Sequence, residues 1–198
     1  MKRLQAAAES ISRVGAIAGG ALLLIASVLI CIDITTRYLF AWTLGGADEL
    51  SGYALAIASA WGFSSALFHR AHIRIDTVYV RVRPGIRAVL DLVSLAVFAF
   101  FIALVTWYAW GVVWQSFQSN SHSLSEIEAP LVVPQGLWFA GLVFFVMVAL
   151  LLLTRAVAAL LRGDLATLFA LIGSKSAVDE AQEEVLNVEH AFQQEKKE

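Results

Sequence analysis

Four stretches of this chain are long enough, and free enough of charge, to lie in a bilayer. Residues 14–32 and 50–68 each hold nineteen residues without Asp, Glu, Lys or Arg; residues 137–154 are likewise uncharged, and residues 88–117 are interrupted only by Asp91. At about 1.5 Å rise per residue, nineteen residues of helix cover roughly 30 Å, the thickness of the hydrocarbon core. The composition agrees: 59% of the 198 residues are apolar and mean hydropathy is +0.74, against about 45–50% apolar in soluble domains. The predicted fold is an all-α integral membrane protein with transmembrane helices over about 14–34, 47–69, 88–117 and 135–161. The third, at roughly 45 Å, is too long for the core and is expected to tilt or to project beyond it. The first run is longer than the about 7–15 residues of a signal peptide's apolar region and leads into Asp33 and Arg37, so it reads as an uncleaved helix.

Basic residues set the orientation. Residues 1–13 carry Lys2, Arg3 and Arg13; residues 69–87 carry Arg70, Arg74, Arg81, Arg83 and Arg87; Arg155 and Arg162 follow the fourth run. The two remaining connections hold only Arg37. Both termini and the middle loop are therefore expected in the cytoplasm, with the first and third loops outside. The expected organisation is a cytoplasmic N-terminus over 1–13, a four-helix transmembrane domain over 14–165 and a cytoplasmic acidic tail over 166–198. Residues 165–172 form a short apolar stretch that cannot span and reads as interfacial. Residues 174–198 carry seven acids against three lysines, a solvated pattern.

Within the second run, Ala54, Ala58, Gly62 and Ala66 fall at spacing four and make a ridge of small side chains, which a closely packed neighbouring helix uses and lipid does not. Gly15 and Gly19 form one GxxxG in the first run. Asp33 and Arg37 are one turn apart and pair as an interfacial ion pair, an ion site being the rarer alternative. Asp48 and Glu49 open the second helix, where the dipole favours negative charge. Trp107, Trp110 and Trp114 crowd the outer half of the third run, as a belt or as partner contacts. Cys31, the sole cysteine, reads as a small buried hydrophobe.

Enzyme chemistry is poorly represented. His69, His72, His122 and His190 all lie outside the apolar runs, where they cannot face each other across a haem in a bundle. No phosphate loop, HExxH or GxSxG occurs, and no cofactor or metal is expected. The second and fourth runs are uncharged and unbroken, unlike the interrupted helices of carriers that act alone. A membrane scaffold with its chemistry in a partner fits best; a small four-helix redox or quinone-binding subunit is the alternative.

The order of motifs resembles the small membrane subunit (DctQ-type) of tripartite ATP-independent periplasmic, or TRAP, transporters. Arg37-Tyr38-Leu39-Phe40 closes the first helix, Asp48-Glu49-Leu50 opens the second, Gly62 lies in its middle and Arg70 ends it, followed by His72-Ile73-Arg74-Ile75-Asp76. The outer entry differs: relatives carry tryptophan followed by two glutamates, whereas here Trp42 stands earlier and Gly45-Gly46-Ala47-Asp48-Glu49 follows. The likeness covers about residues 10–165. It implies a multi-pass protein of the bacterial inner membrane that pairs with a separate large, sodium-coupled elevator subunit. A periplasmic binding protein would deliver an organic acid, and membrane lipids would be the remaining partners, with no nucleic acid. On this reading Ala54, Ala58, Gly62 and Ala66 pack against a partner. Arg70, His72, Arg74 and Asp76 shape the bend after the second helix or touch lipid or partner, and Asp48 and Glu49 are candidates for outer docking.

Overall fold

A computed structural model of the chain describes residues 2–70 and 82–173. Helix α1 spans Lys2–Phe40, α2 Ala47–Phe68, α3 Pro84–Gln118, α4 Val132–Leu161 and α5 Leu165–Ile172. Among the described residues there is no strand, only an isolated bridge between His122 and Pro130.

Helix α1 starts twelve residues before its apolar run, at Lys2 rather than 14. Hydropathy marks where a helix enters lipid, not where it begins, and Gln5-Ala6-Ala7-Ala8-Glu9 are all strong helix formers. The helix ends at Ala41, whose φ of 50° is left-handed. Gly46, at φ 92°, then turns the chain into α2. Glycine suits that left-handed backbone, and a Cβ there would stand 2.5 Å from Ile127 Cδ1, so that side chain would have to shift. Helix α3 begins at Pro84, earlier than the expected 88, with proline at N1 and an extended Arg83 before it. Helix α4 begins at Val132, earlier than 135, because Pro134 in the first turn sacrifices no intrahelical bond.

A Schellman motif ends α4. Gly163 takes φ 70°, its N–H donates to Leu160 and the Asp164 N–H donates to Ala159, both at 3.0 Å. Asp164 then caps α5 by accepting from the Thr167 N–H at 3.0 Å. The stretch expected at the surface does more than lie there: Leu168 and Ile172 are buried in the main core.

The helices pack in the order α1–α2–α4–α3, with α5 against α3 and α4. Helix α4 is central, and its Phe145, Ala149, Leu152 and Ala156 form the main core with Leu95 and Ala99 of α3 and Leu67 of α2. A second cluster joins Ala60, Ala109 and Leu142. The flanking helices α1 and α3 leave broad apolar faces exposed, from Val14 to Leu39 and from Val89 to Trp114. Cys31 lies on such a face and is exposed, not buried. Lipid is as apolar as a helix interface, so apolar character alone does not mark the buried side.

By length and composition α1, α3 and α4 suffice to cross a membrane. Helix α2, with 22 residues, is less apolar because Ser51, Gly52, Ser59, Gly62, Ser64 and Ser65 interrupt it.

Candidate functional site

The spacing-four ridge of α2 divides between two environments. Ala54 and Ala58 are buried, and Ala58 meets α1 of the same chain: a Cβ on Gly19 would stand 3.0 Å from Ala58 Cα. Gly62 and Ala66 are half-buried, and a Cβ on Gly62 would meet nothing within 4 Å. The GxxxG of α1 is thus the matching half of the α1–α2 contact. Gly15 lies against Trp61, whose Cε3 would be 2.9 Å from an added Cβ.

Trp61 is the hub of the helix row, and nothing in the helical periodicity singled it out. Its Nε1 donates to the Leu137 carbonyl at 3.1 Å. Its ring stacks on Phe144 with centroids 5.7 Å apart, and Gly141 makes room for it, an added Cβ there falling 2.9 Å from Trp61 Cδ1. One indole therefore touches α1 and α4 at once. A tryptophan away from both ends of a membrane helix was the available signal, since belts place this residue at interfaces. Beside it, an apolar groove of about 570 Å³ between α1 and α2 is lined by Val14, Gly15, Gly19, Ile57 and Trp61 among others.

At the end carrying the α1–α2 and α3–α4 connections, a second constellation binds the loops together. Asp33 is 2% exposed. It accepts from Arg37 Nη2 at 2.6 Å, from Thr43 Oγ1 at 2.9 Å and from the Leu44 N–H at 2.7 Å. The helix pair is therefore also a clamp on the α1–α2 turn, reached by side chain and backbone ten and eleven residues on. Glu49 accepts from Tyr53 and from Ser123 of the α3–α4 loop. That loop is cross-braced by Ser123 N–H to Ala129 O at 2.9 Å and Leu131 N–H to Ser121 O at 3.1 Å, and Gly45 and Gly46 lie against its Glu126 and Ile127. Of the two docking candidates, Asp48 is exposed and Glu49 is half-buried and engaged within the chain.

At the opposite end Arg70 takes φ 56° and turns back onto α5. Its Nη1 donates to the carbonyls of Phe169 at 3.2 Å and Gly173 at 3.5 Å, a cation on the carbonyl end of a helix. Asp164 at the other end of α5 is held below the usual carboxylate range by the hydroxyl and then the N–H of Thr167. His72, Arg74 and Asp76 lie outside the described residues.

The tryptophans of α3 face outward. Trp107 is 75% exposed, and Trp110 stacks on Trp114 with centroids 5.8 Å apart, while Trp110 also meets Phe139 of α4 at 5.5 Å. Among the described residues no three His, Cys, Asp or Glu side chains gather as metal ligands do.

The arrangement is one of packing surfaces and braced loops. A search of curated proteins returns no match. The family model described as the DctQ component of tripartite ATP-independent periplasmic transporters matches residues 26–162, well over half of the chain and the whole of α2, α3 and α4. The chain therefore belongs to the DctQ family, the small membrane component of TRAP transporters.

Proposed function

We propose that this chain is the stationary brace of its transporter. On this reading α1, α2, α3 and α4 all cross the bacterial inner membrane, with both termini and residues 69–87 in the cytoplasm. The chain holds a separate large subunit that carries an organic acid by a sodium-coupled elevator motion, and its outer loops receive the periplasmic binding protein.

The observation that carries the reading is the filled interior. Where α2, α3 and α4 meet, Phe145 and Val148 are 1% exposed and Ala149 and Ala156 are fully buried, leaving side chains where a carrier would need a polar path. The outside offers what a brace needs, namely apolar faces along α1 and α3 and the open small-residue pair Gly62 and Ala66. A crossing α2 is supported by its 22 residues, about 33 Å of helix, running alongside α1 and α4.

Affinity purification tests the reading. The chain is expected to bring down a membrane protein with many more helices. Gly62→Leu, which adds bulk where α2 has nothing of its own against it, is expected to reduce that yield severalfold without inverting the topology. Full recovery of the partner with Gly62→Leu removes this contact from the account.

A further inference from the structure

The α3–α4 loop carries a feature that packing does not use. Leu124 is fully exposed, whereas Ile127, 43% exposed, rests its side chain against Gly46. Leu124 does not sit on a floppy tip. The loop is closed by the two backbone bonds across Ser121–Leu131 and Ser123–Ala129. It is tied to α2 through Ser123 and Glu49 and wedged on Gly45 and Gly46. Glu128 holds left-handed backbone, φ 47°, an unfavourable conformation for a glutamate that persists where the surroundings fix it. A fixed loop that holds Leu124 in water presents an apolar side chain ready for contact.

The charge around it selects the partner. Asp48, Glu126 and Glu128 are exposed near the loop, and residues 41–49 and 119–131 contain no Lys or Arg. An acidic frame is repelled by anionic lipid headgroups, which attract basic segments, and it favours a soluble protein with a basic surface.

We propose that the loop is a docking knob: Leu124 enters an apolar socket on the soluble periplasmic binding protein, and lysines or arginines on the socket's rim meet Glu126, Glu128 and Asp48. This rests on the reading of the chain as a TRAP small subunit with this loop outside. A preformed knob loses little entropy on binding, which favours brief, specific encounters. The acids act at longer range by steering approach, and the leucine sets how long the pair stays together.

The test uses the assembled transporter in nanodiscs and the binding protein of the same system. Leu124→Ser is expected to weaken association about tenfold or more, with Leu124→Met retaining it. Glu126→Gln with Glu128→Gln is expected to slow association severalfold at low salt and to make no difference at high salt. A Leu124→Cys variant in a Cys31→Ala background, carrying an environment-sensitive dye, is expected to emit as in water until the binding protein is added. Unchanged affinity for Leu124→Ser overturns the knob. So does a blue-shifted dye before addition, which would mean that the bilayer or the large subunit already covers the site. Labelling of Leu124→Cys in intact cells by an impermeant maleimide separates the two readings. Outside labelling with unchanged affinity overturns the knob alone, whereas protection until the cells are opened overturns the orientation as well.

Discussion

Asp33 shows how a single side chain governs a loop at a membrane edge. A carboxylate there is costly unless its lone pairs are occupied, and three donors occupy them: Arg37, Thr43 and the Leu44 N–H. Asp33→Asn keeps the shape but removes the charge and turns a donor toward one of those partners. Exchange of the Leu44 amide with solvent hydrogen is expected to quicken on the order of tenfold, since bonds to charged groups are the stronger ones; an unaltered rate would mean that the clamp does not hold the turn. Gly19 poses a different residue-scale problem, that of space. Its partner is the Ala58 backbone, which cannot swing aside. Gly19→Leu is expected to cost about 1–3 kcal/mol of overpacking, read as a lowered unfolding temperature of the purified chain in detergent. Gly20→Leu, with nothing within 4 Å, is expected to be near neutral there, and equal losses in both would contradict the α1–α2 contact.

At the scale of elements, α5 is fixed at both ends by side chains from elsewhere or from its own cap. Arg70 holds its carbonyl end, and Asp164 its amide end. Because Thr167 depresses the Asp164 carboxyl pKa in the fold, the cap's contribution is present above the unfolded pKa and lost as pH falls through the folded one. Amide protection in α5 is expected to be constant from pH 8 to 5 and to decline only below about pH 4; a decline near pH 6 would assign control to another group. The same helix marks what could be read from the chain in advance. Runs of apolar residues revealed where the long helices lie, and Gly, Pro and the Asp-Glu pair revealed their turns, because those signals are local. The face that each helix buries was less legible. In a bilayer both lipid and neighbour are apolar, so Cys31 and Leu168 carry no mark of being outside and inside respectively. Spacing four on α2 identified a packing ridge but not that Gly15 and Gly19 complete half of it, and Trp61 is a hub only because Gly15 and Gly141 arrive from distant segments. Asp33 and Arg37 were visible as a pair; Thr43 and Leu44 were not, because a turn's geometry brings them in.

For the whole molecule, the row α1–α2–α4–α3 differs from a closed bundle in what it leaves open. A closed bundle hides its apolar stripes, whereas a row exposes two long flanks and suits a piece laid against something larger. Membership of the DctQ family gives that larger object a kind, a TRAP transporter's large membrane component, and the proposed bracing role rests on the filled interior around Phe145 and Ala149. The measurement closest to that claim is sodium-driven uptake of the binding protein's solute into proteoliposomes. With this chain and the binding protein alone, uptake is expected to stay at the protein-free background, and it is expected to appear once the large subunit is reconstituted beside them. Solute accumulation in vesicles containing this chain without the large subunit would contradict the account.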